Sequence, residues 1–283
     1  MRRDDSVLPI VRIVAAVIVV VLVLAVLVLY FMPEETERFW AWTISPTMTP
    51  LLMGAGYAAG AYFFARALTT RSWRAVTLGF LPITLFTTLL LLATLIHWDL
   101  FNHGHVAFWS WTFLYIVTPF LVPALWLANR RTDPGREPGE LLITVPARGA
   151  LAVVGALIVA LALTMFVSPG TVIDEWPWQL SALTARTVSA YLALTGATLV
   201  LIALDARWRA AKVLVESLII GSVLIVIGIV RAWDVLDPSE QVRWTYLASM
   251  ALGLALLIAL YGSMEARKRP NVTTSAQDAS LGE

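Results

Sequence analysis

PEETERFWAWTISPTMTP, residues 33–50, returns 136 residues later as PGTVIDEWPWQLSALTAR, residues 169–186. In both copies a proline follows a long apolar run, acidic residues come next, and Trp-x-Trp and a serine precede another apolar run. At this offset Arg12 falls on Arg148, Pro33 on Pro169, Trp40 on Trp176, Trp42 on Trp178, Ser45 on Ser181 and Gly60 on Gly196. One deletion after the second apolar run changes the offset to 135. Trp73 then falls on Trp208, Arg74 on Arg209, Trp98 on Trp233, Asp99 on Asp234 and Trp109 on Trp244. Of the 12 tryptophans, all but Trp111 and Trp126 belong to a matched pair. Self-similarity at a fixed period marks an internal duplication.

The composition says where the duplicated unit lives. The chain is 59% hydrophobic and 14% charged, with a mean hydropathy of +0.79, whereas soluble domains carry about 25% charged residues. A helix needs about 20 apolar residues to cross the hydrocarbon core with every backbone group bonded internally. Eight runs meet that length, near Leu8–Phe31, Met48–Leu68, Ala75–Ile96, Val106–Ala128, Gly149–Val167, Thr187–Leu204, Ala211–Val230 and Trp244–Ser263. The expected fold is therefore an all-α integral membrane protein of eight transmembrane helices, arranged as two parallel four-helix repeats. Each copy holds an even number of spans, so the copies share one direction and are related by an axis along the membrane normal.

The expected boundaries are a first repeat over residues 1–128, a cytoplasmic linker over 129–147, a second repeat over 148–264 and a disordered tail over 265–283. The linker begins NRRTDPGREPGE, with the Pro, Gly and charge of a connecting segment. The tail is polar and aperiodic. If the N-terminus is cytoplasmic, only Arg38, Arg186, Arg231 and Arg243 of the 20 Lys and Arg fall in outer segments. That bias places both termini in the cytoplasm and the protein in the cell membrane. The first run is too long for a leader peptide and superposes on an internal helix, so it reads as a retained span.

With no cysteine there are no disulfides, thiolate zinc sites, iron–sulfur clusters or cysteine nucleophiles. No P-loop, dinucleotide fingerprint, His-Glu-x-x-His or nucleophile elbow occurs, which points away from an enzyme. The three histidines lie in IHWDLFNHGHVAFWSW, residues 96–111; the second copy is VRAWDVLDPSEQVRWTY, residues 230–246. Trp98, Trp109, Trp233 and Trp244 suit interfacial anchors. Asp99 and Asp234 stand at helix C-terminal ends, where the dipole disfavours an anion, so they call for Arg or hydroxyl partners, with Arg231 and Arg243 the local candidates in the second copy. His97, Asp99, His103 and His105 also form a set suited to zinc or copper. No other cofactor is implied.

Trp40, Trp42, Trp176 and Trp178 read as interfacial anchors with hydroxyls capping the next helix, or as walls of an outward-facing vestibule with Arg186 as an anion contact. Asp99 and Asp234 extend that substrate-binding set. Glu216 lies within the seventh span, one turn from Lys212, its expected partner; otherwise it is an ion-coupling site. Thr77, Thr84, Thr87, Thr88 and Thr94 suit helix packing. Gly54, Gly56 and Gly60, with Ala193, Gly196 and Ala197 on the matched helix, predict close packing near the centre. The sequence favours a transporter or channel for a small solute or ion. Its alternatives are a non-catalytic sensor or partner of another membrane protein, and a metal or redox protein using the histidine loop. The lipid bilayer is the expected environment, and nothing suggests nucleic acid.

Overall fold

The structure, a computed structural model, describes residues 4–133, 135–236 and 239–268. The described residues form α1 (Pro9–Val26), α2 (Thr36–Phe39), α3 (Met48–Thr69), α4 (Phe80–Ile96), α5 (Val106–Asn129), α6 (Val145–Val167), α7 (Gly170–Ile173), α8 (Ala182–Asp205), α9 (Trp208–Arg231) and α10 (Glu240–Lys268). Beyond helices there are two isolated antiparallel bridges, Ser6–Ser72 and Leu142–Arg207. The chain is an all-helical protein of multi-pass membrane character. Among the described residues seven helical stretches are long and apolar enough to cross a membrane: Pro9–Phe31, Thr77–Ile96, Val106–Thr132, Val145–Val167, Ala182–Asp205, Trp208–Arg231 and Gln241–Lys268.

The expected second span is present as a 22-residue helix, but it falls short of those seven in apolarity. Its position explains this. α3 is packed by α1, α8 and α9, so its glycines and tyrosines face protein, and a helix enclosed by neighbours needs less apolar surface than one facing lipid. The last helix runs through Lys268, beyond the expected boundary at 264; the rest of the predicted tail lies outside the described residues.

The principal helix pairs are α1 with α3, α4 with α5, α6 with α8, α9 with α10, and two that cross between halves, α3 with α9 and α4 with α8. Small residues permit the closest approaches. A Cβ on Gly196 would lie 2.8 Å from the Gly155 carbonyl oxygen, so α6 and α8 are in backbone contact. A Cβ on Gly56 would strike the Tyr191 ring, so α3 meets α8 through that side chain near the centre. Gly54 and Gly60 instead face Tyr30 and Leu22, and Gly196 faces α6, so the expected close packing of the two glycine-bearing helices on each other is replaced by packing within each half. α1 ends in a π turn, Leu27–Phe31. There the Tyr30 hydroxyl donates to the Leu224 carbonyl and Arg231 donates to the Tyr30 carbonyl, tying α1 to α9.

One end of the bundle carries most of the arginines. The Trp73 amide donates to the Asp5 carbonyl at 3.0 Å, and the Trp208 amide to the Leu141 carbonyl at 2.9 Å. Arg12 donates to the Leu68 and Thr70 carbonyls, and Arg148 to the Ala203 carbonyl. The segment between α5 and α6 is bound down here. Arg74 is fully buried against Glu137 and Glu140, and Arg207 pairs with Asp205 and Asp133. These pairings hold the Arg207 guanidinium protonated more firmly than usual, chiefly through the hydrogen bonds to Asp205.

Candidate functional site

The opposite end is rich in tryptophan, and the segments between helices fold onto one another there. Thr36 is buried and bridges the Ile44 amide and carbonyl, closing residues 36–44 into a loop. The Asn102 amide donates to the Ala41 carbonyl and joins this loop to the histidine segment. Trp42 then packs edge-on against Phe101 and Trp111, while Trp40 meets Trp111 and Tyr57. Trp176 and Trp178 form a second stack, reaching Tyr246. The four tryptophans thus make two packed clusters, with no ring contact between the clusters among the described residues. Trp178 links the halves by another route, donating from its buried indole to Thr49 Oγ1 on α3 at 2.8 Å. Ser181 and Thr184 form a reciprocal cap on α8; Ser45, its sequence counterpart, does not cap α3.

Arg186 sits in the first turns of α8 with two partners. Its Nε donates to the Phe166 carbonyl, and its Nη1 lies 2.8 Å from His97 Nε2. A guanidinium only donates, so His97 accepts at Nε2 and carries its proton on Nδ1. Burial, and then the Arg186 charge, push the His97 pKa below its ordinary 6.5. His103 faces elsewhere, with Nε2 at 3.1 Å from the Trp98 carbonyl and its ring against Trp98 and Phe108. Among the described residues no three His, Asp or Glu side chains gather as a metal site, so His97, Asp99, His103 and His105 are not brought together as a ligand set. His97 is held by Arg186 on α8 while His103 bonds within its own loop, and this separates them.

Asp99 and Asp234 both lie exposed in short turns after α4 and α9. Their expected arginines are engaged elsewhere: Arg231 holds the Tyr30 carbonyl and Arg243 lies over the Trp233 ring. Trp98, Trp109 and Trp244 are substantially exposed, as interfacial anchors would be.

Directly beneath the Trp40–Trp42–Trp111 cluster lies a cavity of about 70 Å³, about halfway along α1 and α3. Its wall includes Leu22 of α1, Tyr57 and Gly60 of α3, Phe86 of α4, Tyr115 of α5, and Tyr191 of α8. No charged side chain lines it. Gly56 is what admits the Tyr191 ring from the other half. The Tyr57 and Tyr115 hydroxyls are 2.8 Å apart. The Tyr191 hydroxyl is buried beside them with no hydrogen-bond partner. Thr87 and Thr118, also on the wall, spend their hydroxyl protons on the carbonyls of Thr84 and Leu114 in their own helices. An unpaired buried donor costs about 1–3 kcal/mol, and it is retained here at the edge of a space. No local motif announces this cluster. Its three tyrosines come from three helices, and the available signal was a phenol in the middle of each of three apolar runs.

Glu216 is also placed differently from expectation. Lys212 pairs with Glu265 at 3.0 Å. Glu216 instead accepts from Arg66 at 2.9 Å, Tyr62 at 2.6 Å and Tyr261 at 3.0 Å. It is the acceptor at the centre of a network joining α3, α9 and α10. Thr84, Thr87, Thr88 and Thr94 bond back to carbonyls of α4, the local pattern expected for helix packing.

No protein-family model, curated protein or solved structure matches this chain.

Proposed function

We propose that the chain is a cell-membrane transporter for a small uncharged solute, built as eight spans in two parallel four-helix repeats with both termini in the cytoplasm. The observation that carries the functional reading is the cavity: residues from both halves line it, Trp40 and Trp111 pack on its lining Tyr57 and Tyr115, and no charge enters its wall. An ion would have nothing there to replace its water, whereas a neutral solute loses little on entry. In this reading the tryptophan end faces outward, Trp40 and Trp42 form the outer cover, and Glu216 fixes α3 to α9 and α10.

The repeat reading has support beyond sequence. The bonds Trp73 to Asp5 and Trp208 to Leu141 occupy positions related by the sequence offsets, and Arg12 to Leu68 and Arg148 to Ala203 do so to within one residue. The crossed pairs α3 with α9 and α4 with α8 exchange under the same relation. The arginine distribution supports the orientation. Because the chain has no cysteine, labelling of single cysteines at Thr132 and Ser168 from either side of intact cells tests it; both reacting from the same side overturns it.

The functional test is solute-dependent stability in lipid nanodiscs, using neutral and ionic small solutes. Neutral solutes binding the folded state at a hundred times Kd add about 2.7 kcal/mol, and Thr118→Leu, which fills part of the cavity, is expected to remove the effect. Stabilisation by ions alone, or by none of the solutes, refutes the proposal.

A further inference from the structure

We propose that the tyrosine cluster is a hydrogen-bond donor site for a slender, neutral, membrane-dissolved molecule carrying a carbonyl or ether oxygen. This rests on the reading of the cavity as a solute site and specifies the chemistry of the occupant.

The argument begins with proton counting. Three phenolic hydroxyls meet here, and Tyr57 and Tyr115 share one hydrogen bond. One hydroxyl of that pair donates, which leaves the other's proton unused by the bond. Tyr191, 7% exposed, adds a hydroxyl with no partner. The three protons make one mutual bond in this arrangement, so the Tyr191 proton in particular reaches no acceptor within the cluster. The rest of the wall does not correct this: Thr87 and Thr118 donate to their own helix carbonyls, and neither oxygen accepts from Tyr191, whose hydroxyl is without a partner. The cluster therefore asks for an acceptor from outside the protein.

Size and depth narrow the class. A cavity of about 70 Å³ exceeds the ~10–15 Å³ that one water needs, but it is roughly half the ~150 Å³ known to admit benzene. The oxygen-bearing end of an unbranched chain fits, with the rest of the chain reaching out towards lipid, and an enclosed aromatic ring does not. Water is a poor occupant of an apolar space that offers only this one polar corner, since it wants two to four partners. The ester carbonyls of ordinary phospholipids are excluded by depth. They sit at the edge of a hydrocarbon core about 30 Å thick, about 15 Å from the midplane, whereas the cavity lies midway along α1 and α3. The approach is from the bilayer. α1 packs on α3 and α5 packs on α4, the pair α1 with α5 is not among the principal contacts, and Val21 on the cavity wall is also exposed on the outside of the bundle.

The test uses a methyl butyl ketone and a hexane of equal chain length, each carrying a terminal fluorine, read by fluorine NMR on the full chain in nanodiscs with empty nanodiscs as the partition reference. One net hydrogen bond of ~0.5–1.5 kcal/mol corresponds to about 2- to 10-fold tighter binding of the ketone than of the alkane. Tyr191→Phe removes one oxygen and no carbon. It is expected to lower the ketone affinity to that of the alkane while leaving the alkane unchanged. Equal affinities in the unmodified protein, or a ketone preference that survives Tyr191→Phe, overturn the donor assignment and leave the cavity as a solute site. If neither probe binds, the cavity reading falls and this inference falls with it.

Discussion

Replacing Gly196 by alanine tests whether α6 and α8 are held at backbone contact. The added methyl would lie 2.8 Å from the Gly155 carbonyl oxygen, 2.8 Å from Val159 Cγ2 and 2.9 Å from the Val159 amide nitrogen. Two of those three atoms are backbone, so rotation of a side chain cannot relieve the clash and the helices must separate. Overpacking of this kind costs about 1–3 kcal/mol. A second term has the opposite sign, because alanine is about 1 kcal/mol better than glycine inside a helix. Gly149→Ala supplies that term by itself: Gly149 is exposed on α6 and a Cβ there meets nothing within 4 Å. The quantity to measure is the difference in unfolding free energy between the two variants in one bicelle system. It should fall at about 1–3 kcal/mol, with Gly196→Ala the less stable. A difference below ~0.5 kcal/mol, within ordinary surface scatter, refutes the backbone contact and the close packing of the α6–α8 pair.

Glu216→Ala is expected to lower stability by about 1–3 kcal/mol by leaving the Tyr62 and Tyr261 hydroxyls without their acceptor, while Glu216→Gln, which still accepts, costs less; equal unfolding midpoints for all three proteins would remove the network from the account. Trp178→Phe should lose about 1 kcal/mol, and a double-mutant cycle with Thr49→Val should show coupling of the two changes; strict additivity would mean that the indole does not bond across the halves. His97 is expected to make stability fall with acid. Its folded pKa is depressed, so the unfolded chain binds the proton first, and stability present above pH 6.5 is lost as pH drops through that value toward the folded one. His97→Gln, which still accepts from Arg186, should flatten this part of the pH profile, and an unchanged profile counts against the pairing.

The helices were legible because each had to satisfy its backbone alone in an apolar medium, which leaves long runs in the sequence. Met48–Thr69, the long helix that is not apolar enough to stand among the seven spans, shows the limit of that signal, since enclosure by protein relaxes the demand. Partners across long distances were not legible. Lys212 lies one turn from Glu216, and proximity in sequence favoured it; the structure gives Lys212 to Glu265 and brings Arg66 to Glu216 from 150 residues away. The histidines show the same failure in reverse. Their spacing suggested convergence, but His97 is drawn to Arg186 on another helix while His103 stays with Trp98. The linker looked like a free connection, yet Arg74 and Arg207 bind its acids.

The crossed pairing of α3 with α9 and α4 with α8 bears on how the protein is made. The face of α3 that receives α9 has no companion while the ribosome is still working on the 138 residues between Thr69 and Trp208, and α3 is not among the stretches apolar enough to suit lipid unaided. The N-terminal half therefore waits in the membrane unfinished, with a flank that carries Tyr62 and Arg66 in need of shelter, until the seventh long helix is inserted and brings Glu216. Maturation is then a single late event shared by both halves. A truncation ahead of Trp208 should leave a protein recognised by quality-control proteases rather than a working half.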